Sequence, residues 1–187
     1  MFIDLTLLVT QEMIENAHQN EQKSFSGHLG THFDVMNKEF PLEYLKRRGV
    51  VFDVGAVTDR DISVQDIDFS LVEKDMFVAF ATGFIENVGY GSKQYFSQHP
   101  QLADELIDTL VSRGVSIIGV DFAGMRRPPE HTPKDQYCAD RGVFVVENLC
   151  NLRALLRGNP SAVFIANTYP LKYAELSGLP CRVVAEL

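Results

Sequence analysis

The chain has 187 residues, 45% hydrophobic and 22% charged, which suits one sizeable core, leaves little room for two, and excludes a disordered chain. Its 17 basic against 25 acidic side chains give a net charge of −8 without a clustered basic stripe, so neither nucleic acid nor an anionic membrane surface is an expected partner. No apolar run approaches the roughly 18 residues of a spanning helix, and the opening Met1-Phe2-Ile3-Asp4 carries no basic leader or cleavage site, so a cytoplasmic location is expected.

In chain order, the first informative run is His28-Leu29-Gly30-Thr31-His32-Phe33-Asp34, with three side chains able to ligate a divalent metal. In an extended strand alternate residues share a face, so His28, Gly30, His32 and Asp34 point one way while Leu29, Thr31 and Phe33 pack on the other. On this reading Gly30 adds no bulk between the imidazoles and leaves room for an ion or a substrate. A helix also puts His28 and His32 on one face, but Gly27 and Gly30 disfavour it, so a strand or irregular loop-strand is expected. Imidazole with carboxylate suits zinc, manganese or iron better than magnesium or calcium. The isolated His18, His99 and His131 read as hydrogen-bonded structural or surface residues.

Downstream, Val50–Val54 and Met76–Ala81 are apolar runs of buried-strand type, with a polar turn or short helix at Ser63–Asp68 between them. Leu102–Arg113 has the helical period and is closed by Gly114, and Val115–Val120 follows as a strand ending on Asp121. Pro128, Pro129 and Pro133 predict a loop, after which Val143–Val146 runs into Glu147-Asn148-Leu149. Ala162–Ala166 and Cys181–Ala185 complete the strands. Cys138, Cys150 and Cys181 lack CxxC spacing and are expected to be reduced, with Cys150 and Cys181 packing and Cys138 nearer the site. The expected fold class is a single α/β domain over residues 1–187, with a mixed β-sheet core and flanking helices.

At His28–Asp34 the chain resembles the cyclase family of metal-dependent hydrolases, which includes bacterial kynurenine formamidase and isatin hydrolase and carries the pattern H-x-G-T-H-x-D-x-P-x-H. Ile3-Asp4-Leu5-Thr6, Ala81-Thr82-Gly83-Phe84, Gly119-Val120-Asp121 and Glu147-Asn148-Leu149 resemble further family segments in the same order. The resemblance implies a swivelling β/β/α-type fold and His28, His32 and Asp34 on one ion, zinc or manganese. It further implies Asp34 bridging to a second ion held by Glu147 and by the position that here is Asp135. The family's proline is Met36 in this chain, and its final histidine, the acid/base, is Lys38.

Lys38 can take over as catalytic acid or base only with a strongly lowered pKa, and otherwise serves as a fixed cation or a solvated loop residue. An ammonium lying against Asp135 and Glu147 would fill the second ion's place and predicts a one-ion site. The resemblance implies hydrolysis of an aryl formamide or cyclic amide, N-formylkynurenine being one example, by a homodimer or homotetramer. Phe25, Phe33, Phe84 and Tyr90 are candidates for lining a pocket for a small-molecule amide substrate. The competing readings are a family member that binds a metal or small ligand without efficient turnover and a structural module that binds no ion.

Overall fold

The computed structural model describes residues 1–18 and 27–187. Among these, the strands are β1 (Phe2–Asp4), β2 (His32–Asp34), β3 (Lys46–Asp53), β4 (Phe77–Ala81), β5 (Ile117–Val120), β6 (Phe144–Glu147), β7 (Ser161–Pro170) and β8 (Gly178–Glu186). The helices are α1 (Gln11–His18), α2 (Phe84–Val88), α3 (Lys93–Ser97), α4 (Asp104–Arg113), α5 (His131–Ala139) and α6 (Leu152–Leu156).

The strands form one mixed sheet in the order β1-β8-β2-β6-β5-β4-β3-β7, and β7 also pairs with β8. The strands β2 to β8 therefore close into a ring, with β1 hung on the end of β8. β3 to β6 run parallel, while β2, β7 and β8 join antiparallel.

The parallel strands are buried on both faces, which is why they read as unbroken apolar runs. The pleat sends Val51, Phe77, Ala79 and Ile117 into one core and Val50, Val78, Phe80 and Ile118 into another. α4 seals the second core with Leu106, Ile107 and Leu110 and ends on Gly114 in the left-handed region. This is the single α/β unit with a mixed sheet that the sequence predicts. No described helix is long and apolar enough to cross a membrane.

Three local expectations are corrected. Leu102 precedes α4 and is buried by a bridge to Ile62 instead of starting the helix. β7 and β8 are longer than their apolar runs because they extend each other along a hairpin. Pro133 does not mark a loop: it lies in the first turn of α5, where the missing N–H would have no helical partner in any case.

Candidate metal centre

β2 sits between β6 and β8, and its register places His32 opposite Glu147 on the antiparallel β6. Alternation then puts Asp34 on the same face as His32 and turns Phe33 away into the core. His28 precedes the strand and reaches the site from a bend, its Nε2 3.0 Å from Asp34 Oδ1. α5 leads into β6 and brings in two more groups: His131 Nε2 lies 3.0 Å from Glu147 Oε1 and 3.1 Å from Asp135 Oδ2.

Two ligand sets result, His28-His32-Asp34 and Asp34-His131-Asp135-Glu147, and within each set the candidate ligand atoms lie within 4.8 Å of one another. Asp34 belongs to both. His32, Asp34, Asp135 and Glu147 are buried, whereas the side chains of His28 and His131 are each 27% exposed and form the open side.

The loop before β2 is tied from behind. Thr31 Oγ1 donates to the Asn148 carbonyl and accepts from Leu7 N, both at 2.8 Å. His32 Nδ1 is 2.9 Å from the Gly30 carbonyl, which can only accept, so Nδ1 bears a proton and Nε2 is the ring nitrogen turned to Asp34 and Glu147. Asn148 Nδ2 donates to the same carbonyl at 2.9 Å, and Tyr95 Oη donates to Asn148 Oδ1 at 2.7 Å. Gly30 has φ +72°, and a Cβ there would meet Val9 at 2.6 Å. Its role is thus to aim its carbonyl at His32, not to clear space between the imidazoles as its sequence position suggests.

The electrostatics describe a cluster short of positive charge. Burial would lower the His32 pKa, but the carboxylates of Asp34 and Glu147 and the Gly30 carbonyl carry it up to about 9. Burial likewise opposes charge on His131, yet Asp135 and Glu147 raise it to about 11. Against burial, the two imidazoles hold Asp34 well below the usual carboxylate range. Burial and the neighbouring charges of Asp34 and Glu147 push Asp135 up to about 8, and burial and Asp34 also raise Glu147.

Three polar atoms here are buried with no hydrogen-bond partner, namely His32 Nε2, Asp34 Oδ2 and Asp135 Oδ1. Leaving such groups unpaired costs about 1–3 kcal/mol each, and more when charged. Divalent cations on the two sets that share Asp34 would give these atoms partners, and the nitrogen and oxygen donors fit zinc or manganese. The residues present therefore fit a metal.

The other sequence candidates fall out differently. Lys38 does not lie against Asp135 and Glu147: its ammonium pairs with Asp140 Oδ1 at 2.7 Å, and its side chain is 38% exposed. The imidazole of His131 stands beside those two acids instead, so the predicted exclusion of a second ion by lysine is corrected. Phe33 is fully buried against Phe40, with ring centroids 4.6 Å apart, and cannot line a pocket because the pleat turns it from the site. Phe84 stacks on Tyr95 at 5.6 Å and borders a cavity of about 430 Å³ with His99 and Arg127. Tyr90 is next to the site, its hydroxyl accepting from Gly30 N at 3.1 Å. Phe25 lies outside the described residues, and Cys138 is buried in the core with α4.

Sequence reasoning missed His131, which was read as structural, because the prolines hid α5. Its signal was the i, i+4 spacing to Asp135. Tyr95 was missed as well. Asp121, noted only as a strand end, is buried and accepts from Thr82 N and Gly83 N at 2.8 and 2.6 Å. It pins the turn that starts α2, and burial pushes its pKa up to about 7.

Comparison with known proteins agrees with this geometry. The family model described as putative cyclase matches residues 3–125. No significant match to a curated protein is found. Among solved structures, a potential metal-dependent hydrolase with cyclase activity superposes with TM-score 0.72 at 22% identity, covering 99% of this chain and 98% of the other. A predicted metal-dependent hydrolase from Bacillus stearothermophilus gives 0.72 at 20% identity, covering 99% and 97%. Isatin hydrolase A from Labrenzia aggregata, bound to benzyl benzoate, gives 0.73 at 18% identity, covering 99% and 93%. At these identities the superpositions speak for the fold alone, whereas the family model spans well over half of the sequence, and the chain belongs to the cyclase family.

Proposed function

We propose that the protein is a divalent-metal-dependent hydrolase that cleaves the C–N bond of an aryl formamide or cyclic amide. The observation that carries this reading is the convergence of buried, unpartnered His32 Nε2, Asp34 Oδ2 and Asp135 Oδ1 within the shared ligand sets. When bound, a divalent ion supplies Lewis acidity, polarising a carbonyl and making water a usable nucleophile near neutral pH.

The chain's own residues prepare that chemistry. The Gly30 carbonyl keeps the His32 proton on Nδ1, so that Nε2 is always presented to the cluster. Tyr90 Oη accepts from Gly30 N and so helps to hold the loop that carries the Gly30 carbonyl. His28 and His131 border the open side, where a flat amide can approach while the core behind β2 excludes water.

The test is removal and return of metal. Chelator-treated protein should lose hydrolysis of N-formyl aryl amides and isatin-type lactams, and zinc or manganese should restore it; activity indifferent to chelation sinks the reading. A second reading, a binder without efficient turnover, is favoured by one observation: Lys38 occupies the family's acid/base position and pairs with Asp140. Losing a general acid/base costs about 10²–10⁴-fold. A Lys38→His variant that gains activity from a silent start supports the binder, and activity already present in the wild type supports the enzyme.

A further inference from the structure

The cavity of about 430 Å³ beside Phe84 is lined by none of the candidate metal ligands. It opens at the carboxyl ends of two parallel strands: the chain leaving β3 contributes Gly55, Val57 and Thr58, and the chain leaving β4 contributes Thr82 and Phe84. Its volume is that of a small-molecule site, and the carboxyl end of parallel strands is where α/β sheets generally receive ligands.

Five charged side chains line it, Asp59, Arg60, Asp61, Arg127 and Arg153. Two of them are neutralised from outside the cavity, Arg60 by Asp66 through bonds of 2.7 and 2.6 Å, and Asp61 by Arg126 at 2.6 Å. That leaves the exposed Asp59 against Arg127 and Arg153, neither of which pairs with a carboxylate among the described residues. The local balance is positive in a chain of net charge −8.

Both guanidiniums are held in place by neutral groups. Arg153 Nη2 donates to the Thr82 carbonyl at 2.9 Å, and the head lies on a floor of two glycines: a Cβ on Gly83 would come 2.5 Å from Nη2, and one on Gly55 2.8 Å from it. Arg127 Nε donates to the His99 carbonyl at 3.0 Å, while its backbone N–H donates to Gln101 Oε1 at 2.7 Å. Each anchor engages one of the five N–H donors of a guanidinium and leaves the charge and the other donors for a further acceptor. The acceptor that matches such a fork is an oxyanion.

We propose that this cavity binds a small organic oxyanion, a carboxylate or a phosphate monoester, with its anionic group on Arg127 and Arg153 and its apolar body against Val57, Phe84 and Pro100. The site is separate from the metal centre and stands independently of the hydrolase reading.

The test is calorimetric titration of the full chain with benzoate, phenyl phosphate and uncharged benzamide, before and after chelator treatment. An anion on a metal centre leaves with the ion, whereas one on the arginines does not. Expected is one equivalent of benzoate or phenyl phosphate in both preparations and no benzamide, the tighter anion telling a carboxylic acid from a phosphate ester. Arg127→Gln and Arg153→Gln should each weaken that anion by about tenfold or more, the worth of a hydrogen bond to a charged group. Arg153→Lys keeps a cation but loses the fork and should give a smaller loss, so it carries the test should the glutamine variants fail to fold. Binding that disappears with the metal, benzamide binding as well as benzoate, no anion bound at millimolar concentration, or an affinity unchanged in every folded variant overturns the proposal.

Discussion

The proton on His32 Nδ1 decides which nitrogen faces the cluster, and the Gly30 carbonyl that fixes it is itself held by Asn148, which Tyr95 orients in turn. Asn148 is thus a positioning residue with no ligand atom in either set. Asn148→Leu frees the carbonyl and leaves the Tyr95 hydroxyl buried without an acceptor. Metal affinity should fall about 10- to 100-fold, as loss of such a support generally does, read by competition with a chromogenic chelator. An unchanged affinity would mean that the β2 backbone alone orients the ring. Much at this scale was legible in the sequence: His28, His32, Asp34, Asp135 and Glu147 were all named as candidate ligands, and the structure brings them together. Lys38 was misplaced because spacing along a chain does not reveal that Asp140, near the end of α5, offers it a solvent-exposed partner.

Among the elements, α5 matters most to the site and was the one hidden by composition. Pro133 reads as a breaker unless the helix is known to start at His131, two residues before it. The parallel strands and α4 were legible because burial on two faces, or on one stripe, leaves a period in the residues. The three-residue β2 leaves almost none. α5 is seated through Gly124, whose φ is +103° and where a Cβ would lie 2.6 Å from the His131 ring. Gly124→Ala should therefore displace the imidazole and strain the backbone, at about 1–3 kcal/mol in denaturant unfolding. Bound metal should decline with it. Full stability with full metal content would show that the loop has room to yield.

For the molecule as a whole, the sheet and its two cores set the stability on which the site rests, and His99 adds a pH dependence outside the ligand sets. Its Nδ1 is 2.7 Å from the Pro100 carbonyl, its ring stacks on Phe122 at 5.7 Å, and Nε2 is buried without a partner. Burial is the main cause that lowers its pKa from 6.5 to about 4. Between those values the unfolded chain binds a proton that the native state refuses, so stability falls as pH drops from about 6.5 toward about 4 and the loss levels off below. The ceiling is about 3 kcal/mol at 1.36 kcal/mol per pKa unit. In metal-free protein, His99→Gln should flatten that part of the stability–pH curve; identical slopes would place the proton elsewhere.

The ring of strands has one more consequence. Among the described residues every strand from β2 to β8 has neighbours on both flanks over part of its length, so a foreign backbone finds only short one-sided stretches there, such as residues 46–48 of β3 and 161–164 of β7. The outer side of β1 is a further open rim among the described residues. That rim is three residues long and carries the exposed Phe2, too short a template for amyloid-like stacking to propagate.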